Sequence, residues 1–280
     1  MPIQFRCAVC SKNFKVDEKH VGRKTICKGC GTMFLVPQPG EPTSIVIPSE
    51  VDLKPLVPTL PAEPPKRVID RDGRLFAAIS SHVEKHIGSI TRIFRDYVSE
   101  KNQVDILWVK PTPVVPFHTL VTCGMAEAPM PVPPEAEDRA YAEMLLCLPQ
   151  NWPIDDGALA NEAIYWPLRW MKHIARLPQE KKTYIAKSHV LPNGVPTRPF
   201  HTSTPMSAWM FIPPPFESAE LKRTAVGERT VHFIGMQALH MNELRFFYQH
   251  GYAETLRRLQ AEFPARTLHS MRRPSFLTPG

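Results

Sequence analysis

The sequence predicts an α+β fold: a mixed or antiparallel sheet with flanking helices, preceded by a small module of short strands. Three observations lead there. Over residues 67–280, segments with helical spacing of apolar residues and segments of branched or aromatic residues follow one another without strict alternation, which favours α+β over a doubly wound sheet. Four cysteines lie within the first 30 residues as C-x2-C, sixteen residues, C-x2-C. Nine prolines fall within residues 37–66 and separate the two regions. The chain thus divides into a ribbon (1–36), a proline-rich linker (37–66) and a large domain (67–280).

Cys7, Cys10, Cys27 and Cys30 have the spacing at which two tight turns aim four thiolates at one tetrahedral zinc ion. Gln4–Arg6, Asn13–Val16, Thr25–Ile26 and Thr32–Val36 read as short strands around those turns, with Gly29 and Gly31 suited to the second. The segment has few apolar side chains, so one structural Zn2+ is expected to supply most of its folding energy, about 10 to 16 kcal/mol in comparable modules. Four cysteines fill the tetrahedron. His20 is therefore read as a surface residue, and a closed site leaves no open position for catalysis.

The prolines of the linker exclude helix and strand and predict an extended, semi-rigid tether. Beyond it, Leu75, Ile79, Val83, Ile87, Ile90, Phe94 and Tyr97 recur at spacings of three and four. They predict an amphipathic helix over Arg71–Glu100, with a break at Gly88. Val104–Lys110 and Thr119–Cys123 read as strands, and Pro111, Pro113 and Pro116 between them are expected to forbid a tight ladder. Tyr141–Leu148 is short and stops at Pro149, so strand is preferred to helix. Ile164–Leu177 reads as a helix with Pro167 in its first turn and Leu168, Met171, Ile174 and Ala175 on one face. Thr183–Leu191, Met206–Ile212 and Arg229–Ile234 are strand candidates. Asn242–His250 and Tyr252–Glu262 are helical on either side of Gly251, and the last dozen residues are expected to fray.

The formal charge of +7 is concentrated at the N-terminus, where residues 1–36 hold seven basic residues against two acids. The large domain has twenty-five against twenty-one, an ordinary balance that calls for no nucleic-acid partner. Lys12, Lys15, Lys19, Arg23, Lys24 and Lys28 give the ribbon a positive surface. No signal peptide and no membrane-length apolar run are present, which points to the cytoplasm and no membrane partner. Cys123 and Cys147 lie in apolar segments and argue against a disulfide scaffold.

P-loop, dinucleotide-fingerprint and HExxH motifs are absent from the sequence. An enzyme reading would take Cys123 as nucleophile with His118, His189 or His232 as base, and Gly124 admitting a substrate. A buried packing cysteine is the competing reading, and it is preferred. Asp155 with Asp156, and Glu135 with Glu137 and Asp138, sit in proline-bounded polar loops and read as solvated. Trp152 and Trp166 are candidate partner-binding anchors. Trp170 and Trp209 are assigned to the core. Exposed strand edges would suit capture of an extended peptide.

Four stretches carry a resemblance: HTLVTCGMAEAPM (118–130), AEMLLCLPQNWP (142–153), NEAIYWPLRWMKHIARLP (161–178) and HMNELRFFYQHG (240–251). In this order and separation they resemble the suppressor of fused domain across residues 70–273. That resemblance implies an α+β fold that recognises polypeptide. The animal member is a non-enzymatic regulator that grips a transcription factor in Hedgehog signalling, and bacterial relatives are proposed to be immunity proteins that neutralise toxins. This chain lacks the second large C-terminal domain of the animal pattern and adds the ribbon. The expected function is sequestration of a protein or peptide partner, with toxin neutralisation its most concrete form. The alternatives are a nucleic-acid-associated regulator acting through the basic ribbon and a cysteine-dependent enzyme.

Overall fold

The computed structural model describes residues 2–6, 13–26, 33–39, 73–96, 103–194, 197–216, 218–262 and 275–277. At the N-terminus, β1 (Pro2–Arg6) and β2 (Asn13–Asp17) pair antiparallel from Pro2↔Asp17 to Arg6↔Asn13, and the rings of Phe5 and Phe14 stack at 5.4 Å. β3 (Lys24–Ile26) and β4 (Met33–Leu35) pair likewise, from Lys24↔Leu35 to Ile26↔Met33. The short strands expected in the ribbon are therefore present. The four cysteines, Gly29, Gly31 and nearly all of the linker lie outside the described residues.

In the large domain, α1 (Arg74–His86) is followed by β5 (Ile90–Phe94), β6 (Asp105–Val109), β7 (Phe117–Cys123) and β8 (Tyr141–Pro149). Next come the single turn α2 (Asp156–Leu159), the long α3 (Glu162–Lys181), β9 (Val190–Pro192) and β10 (Met206–Ile212). The hairpin of β11 (Arg223–Val226) and β12 (Arg229–His240) leads into α4 (Met241–Glu262). These eight strands form one sheet in the order β5-β6-β7-β8-β12-β10-β9, with β11 paired to β12. Neighbours run antiparallel except β8 and β12, which are parallel over Tyr141↔Val231 to Leu145↔Gly235. The sheet is thus mixed, with helices on both faces.

Side-chain alternation along the strands divides the interior. Ile106, Trp108, Leu120, Met144 and Leu146 face Leu168, Met171, Ile174 and Ala175 of α3. Leu107, Val109, Val121, Leu145 and Cys147 point the other way, against Leu75, Ile79 and Val83 of α1. Ala208, Met210, Ile212 and Leu239 meet Leu244, Phe247 and Leu259 of α4. A strand covered on both faces loses the in-out alternation of a half-solvated one, and the seven residues of β7 and of β10 are all buried, polar His118, Thr119, Thr122 and Ser207 included.

Several expectations need correction. The helix expected over Arg71–Glu100 ends at His86, and Ile90–Phe94 forms a strand on β6. Gly88 causes the change: its φ is 149°, and a Cβ there would stand 3.1 Å from Val109 Cγ1. Branched Ile90, Thr91 and Ile93 then favour extended backbone. β6 and β7 pair directly from Asp105↔Cys123 to Val109↔Thr119, because the three prolines are confined to the connection. Of the strand expected over Thr183–Leu191 only Val190–Leu191 joins the sheet; α3 ends at left-handed Lys182, and a second positive φ at Ser188 turns the chain again. α3 begins at Glu162, capped by the Asn161 side chain accepting from Ala163 N, so Pro167 lies beyond the first turn. Proline cannot donate to the carbonyl four residues back. Ser203 Oγ supplies a donor to that carbonyl, Ala163 O, at 3.5 Å. Finally, Ser275 and Phe276, expected to fray, are packed against α4.

Candidate functional site

The end of β7 is fastened to β8 by a buried carboxylate. Glu143 has no exposed surface; it accepts from Thr122 Oγ1 at 2.6 Å, Gly124 N at 2.9 Å and Ala126 N at 3.1 Å. Gly124 makes this possible with φ 129°, turning the chain into a 3-10 turn, Met125–Glu127, whose amides point at the carboxylate. Arg229 Nη1 donates to Ala126 O and Glu127 O from the far side. Burial raises the Glu143 pKa to about 7, and the four donors around it oppose that rise.

This corner does not activate Cys123. The thiol is buried, and desolvation first, then the Glu143 charge, push its pKa well above the ordinary value. A nucleophilic cysteine needs the opposite shift. The candidate bases are engaged elsewhere. His118 Nδ1 accepts from Trp108 Nε1 at 3.0 Å, which leaves Nε2 to donate to Gln150 O at 3.1 Å. His232 Nε2 lies 3.1 Å from Asp138 O, and burial lowers the His189 pKa to about 4 beside the Tyr184 ring. The HTLVTCGMAEAPM and AEMLLCLPQNWP stretches therefore interlock through packing and backbone hydrogen bonds.

The tryptophans are likewise interior. Trp166 is fully buried and Trp152 is 3% exposed, so neither offers a ring to a partner in this conformation. Trp166 stacks on Phe200 at 5.3 Å and lies 5.8 Å from Trp209 and 6.5 Å from Trp152. Trp209 is core, as expected, and Trp170 packs at its margin. Tryptophan spacing in a sequence does not separate an interface anchor from a core ring.

Among the acidic groups, Glu137 and Asp138 line a cleft of about 720 Å³ together with Arg74, Tyr141, Glu228 and Arg229. Its charges are mixed, and Arg229 is committed to two backbone carbonyls and the Tyr141 ring. Glu135 is exposed on the same 3-10 turn, and Asp155 is exposed before α2. Among the described residues, neither a cysteine nor a histidine lines the cleft.

The open feature is a sheet edge. β9 ends the sheet on one side with three buried residues, and β11 lies against α1. On the other side β5 has no strand neighbour beyond it among the described residues. Thr91 and Arg92 are exposed, while Ile90, Ile93 and Phe94 are half-buried. The register passes from Ile90↔Val109 to Arg92↔Trp108, so Thr91 has no partner on β6. This bulge and Arg92, whose guanidinium lies 5.1 Å from the Phe94 ring centre, are devices that blunt an edge against self-association.

The base of β5 is rigid. Arg95 pairs with Asp105 at 2.6 Å, and Asp96 N donates to the other oxygen of Asp105 at 2.9 Å. Buried Asp96 accepts from Val104 N at 3.2 Å and is bridged by Arg176 of α3. Lys172 Nζ donates to Arg95 O at 3.0 Å; burial lowers the lysine pKa while Asp96 and Asp105 oppose the shift. The edge strand is thus clamped to α3. Sequence reasoning missed it because Ile90 and Phe94 continue the helical spacing; the signal for it was a run of branched residues directly after Gly88.

The family model described as suppressor of fused protein (SUFU) matches residues 100–274. Among solved structures, a SUFU (suppressor of fused protein) homologue from Neisseria gonorrhoeae FA 1090 superposes with a TM-score of 0.50 at 12% identity, over 75% of this chain and 99% of its own. The Sufu-Fu complex gives 0.51 at 12% identity over 76% and 93%. Drosophila Suppressor of Fused gives 0.51 at 11% identity, over 72% of this chain and 51% of that one. At such identities the likeness is one of fold. No curated protein matches by sequence.

Proposed function

The chain belongs to the suppressor of fused protein family, and from that premise we propose that it is a non-enzymatic module that binds and sequesters a protein partner, with the open edge of β5 as the contact. The carrying observation is the edge itself: a clamped terminal strand whose outer side has no strand neighbour among the described residues. An extended segment adding to it would gain main-chain hydrogen bonds for affinity and neighbouring side chains for selectivity. The solved Sufu-Fu complex supports protein binding as a use of this fold. Neutralisation of a toxin is the most concrete form of the reading. α1 and β5 precede the family match yet complete its sheet, which supports a functional domain starting near residue 67.

The ribbon is the tethered second contact, held by one structural zinc on Cys7, Cys10, Cys27 and Cys30. The donor set fits: the last paired residues before the first two cysteines are Arg6↔Asn13, and before the second two Ile26↔Met33. Each cysteine pair thus follows the end of an antiparallel ladder, and four thiolates suit zinc. When bound, the metal supplies cross-linking energy to a segment with little core. Elemental analysis of freshly purified protein is expected to give one zinc per chain, and Cys27→Ser to lose the metal and leave residues 1–36 open to limited proteolysis. Protein without zinc, or a Cys27→Ser chain that keeps it, contradicts this assignment.

Affinity purification from the native host, followed by reconstitution with the purified partner, tests the function. A stoichiometric complex insensitive to nuclease is expected. A partner that proves to be DNA or RNA, with affinity falling steeply as salt rises, would favour the regulator acting through the seven basic residues of 1–36.

A further inference from the structure

The first two turns of α4 carry a peptide that belongs to the same chain. Ser275 Oγ donates to Asn242 Oδ1 at 2.9 Å, and Phe276 N donates to Glu243 Oε1 at 3.1 Å. The Phe276 ring packs edge-on against Phe246 at 5.3 Å. Leu277 N closes the segment on Ser275 Oγ at 3.2 Å. The receiving groups are also held from their own side: Glu243 Oε2 accepts from His240 N at 3.0 Å, Asn242 Oδ1 accepts from Glu243 N at 2.9 Å, and His250 lies under Phe246 at 4.1 Å. Ser275 is buried at 6% exposure and Glu243 is fully buried with the tail in place. Leaving, the tail would uncover a carboxylate, an amide oxygen and an aromatic face together.

We propose that this surface is a docking site for a partner segment in which a hydroxyl side chain precedes an aromatic one, kept shut in the free chain by Ser275–Leu277. The proposal rests on the protein-binding reading above and adds a second, regulated contact to it. The tail defines the ligand chemistry: a serine or threonine hydroxyl for Asn242, a backbone N–H for Glu243, and a ring for Phe246. Residues 263–274 join the tail to the end of α4, and thirteen steps of chain reach at most about 45 Å, enough to return to the start of α4, which bends at Gly251. The tail is part of the same chain, so its docking is intramolecular and a foreign segment enters only when it binds tightly or when the tail is weakened.

A fluorescein-labelled peptide with the sequence of residues 272–278 measures this on the full-length chain. Anisotropy titration is expected to show binding to Phe276→Ala at least tenfold tighter than to the unsubstituted chain. Adding Asn242→Ala should remove the gain, as should replacing phenylalanine by alanine in the peptide, with melting temperatures confirming that the variants are folded. Equal binding to both chains, or none to a folded Phe276→Ala chain, overturns the proposal. A concentration-dependent dimer of the unsubstituted chain that the peptide dissolves would assign the site to a second copy and also overturn it. A chain that fails here yet reconstitutes its protein partner overturns this proposal alone and leaves the β5 reading standing.

Discussion

Gly124→Ala is expected to lower the melting temperature by about 10 °C or to prevent accumulation of folded protein. Two effects act together. At φ 129° and ψ −16° the backbone lies in a region that a residue with Cβ occupies only under strain of about 1 to 3 kcal/mol. The added Cβ would also overlap the carbonyl oxygen of Gln103, and Gln103 is backbone that cannot swing aside as a flexible side chain would. Moving Gly124 instead would pull its N–H from Glu143 and loosen the 3-10 turn that Arg229 holds from the other side. A total of about 3 to 5 kcal/mol is a large share of the 5 to 15 kcal/mol available to a typical domain, and in a domain of this size each kcal/mol shifts the midpoint by about 2 to 4 °C. Thermal denaturation followed by circular dichroism checks it. A midpoint within 2 °C or so of the unsubstituted chain would mean that the turn relaxes freely.

Glu143 is expected to dominate the pH dependence of stability between mildly acidic and mildly basic solution. Its pKa is raised by burial from 4.5 to about 7 in the fold, so the folded state holds the proton more tightly than the unfolded chain. The associated stability is complete below pH 4.5 and is lost as pH rises through about 7. By linkage the loss from pH 5 to pH 8 is about 2 to 3 kcal/mol. Urea denaturation of the unsubstituted chain and of Glu143→Gln at both pH values isolates the group: their stability difference should move by that amount, with the unsubstituted chain, its Glu143 ionised, faring relatively worse at pH 8. Glu143→Ala should lose about 3 to 5 kcal/mol at pH 5, because the Gly124 and Ala126 amides and the Thr122 hydroxyl lose their acceptor in the interior, and less at pH 8, where the unsubstituted chain has itself lost about 2 to 3 kcal/mol. A pH-independent difference for the glutamine variant would show that Glu143 is charged throughout or reached by water.

Much of the architecture was legible because single segments announce themselves. The face of Leu168, Met171, Ile174 and Ala175 is buried as its spacing implied, β6 and β10 lie where strands were expected, β8 is the strand that its shortness and Pro149 favoured, and Gly251 interrupts α4 with φ 79°. The failures have a shared origin in contacts remote along the chain. Ile90 and Phe94 fit the helical spacing, and the local signal against it, branched Ile90, Thr91 and Ile93, is weak until Gly88 meets Val109. Glu143 reads as a polar position in an apolar strand, and only the fold brings Thr122, Gly124 and Ala126 to it. The parallel pairing of β8 with β12 joins segments some ninety residues apart in sequence. Buried strands without alternation conceal which face meets α1 and which meets α3. The tail failed in the same way, since the groups that hold Ser275 and Phe276 lie 33 residues earlier, in α4.

The most direct test of the account is partner affinity after the β5 edge is blocked. Thr91 is exposed and skipped by the register with β6, so proline there removes a donor and adds a ring at the edge while leaving the paired residues in place. With the partner obtained by affinity purification, calorimetric titration of Thr91→Pro is expected to show at least a tenfold weaker complex, with the melting temperature of the free chain nearly unchanged. Full affinity in a folded Thr91→Pro chain would contradict the claim that this domain holds its partner by strand addition at β5.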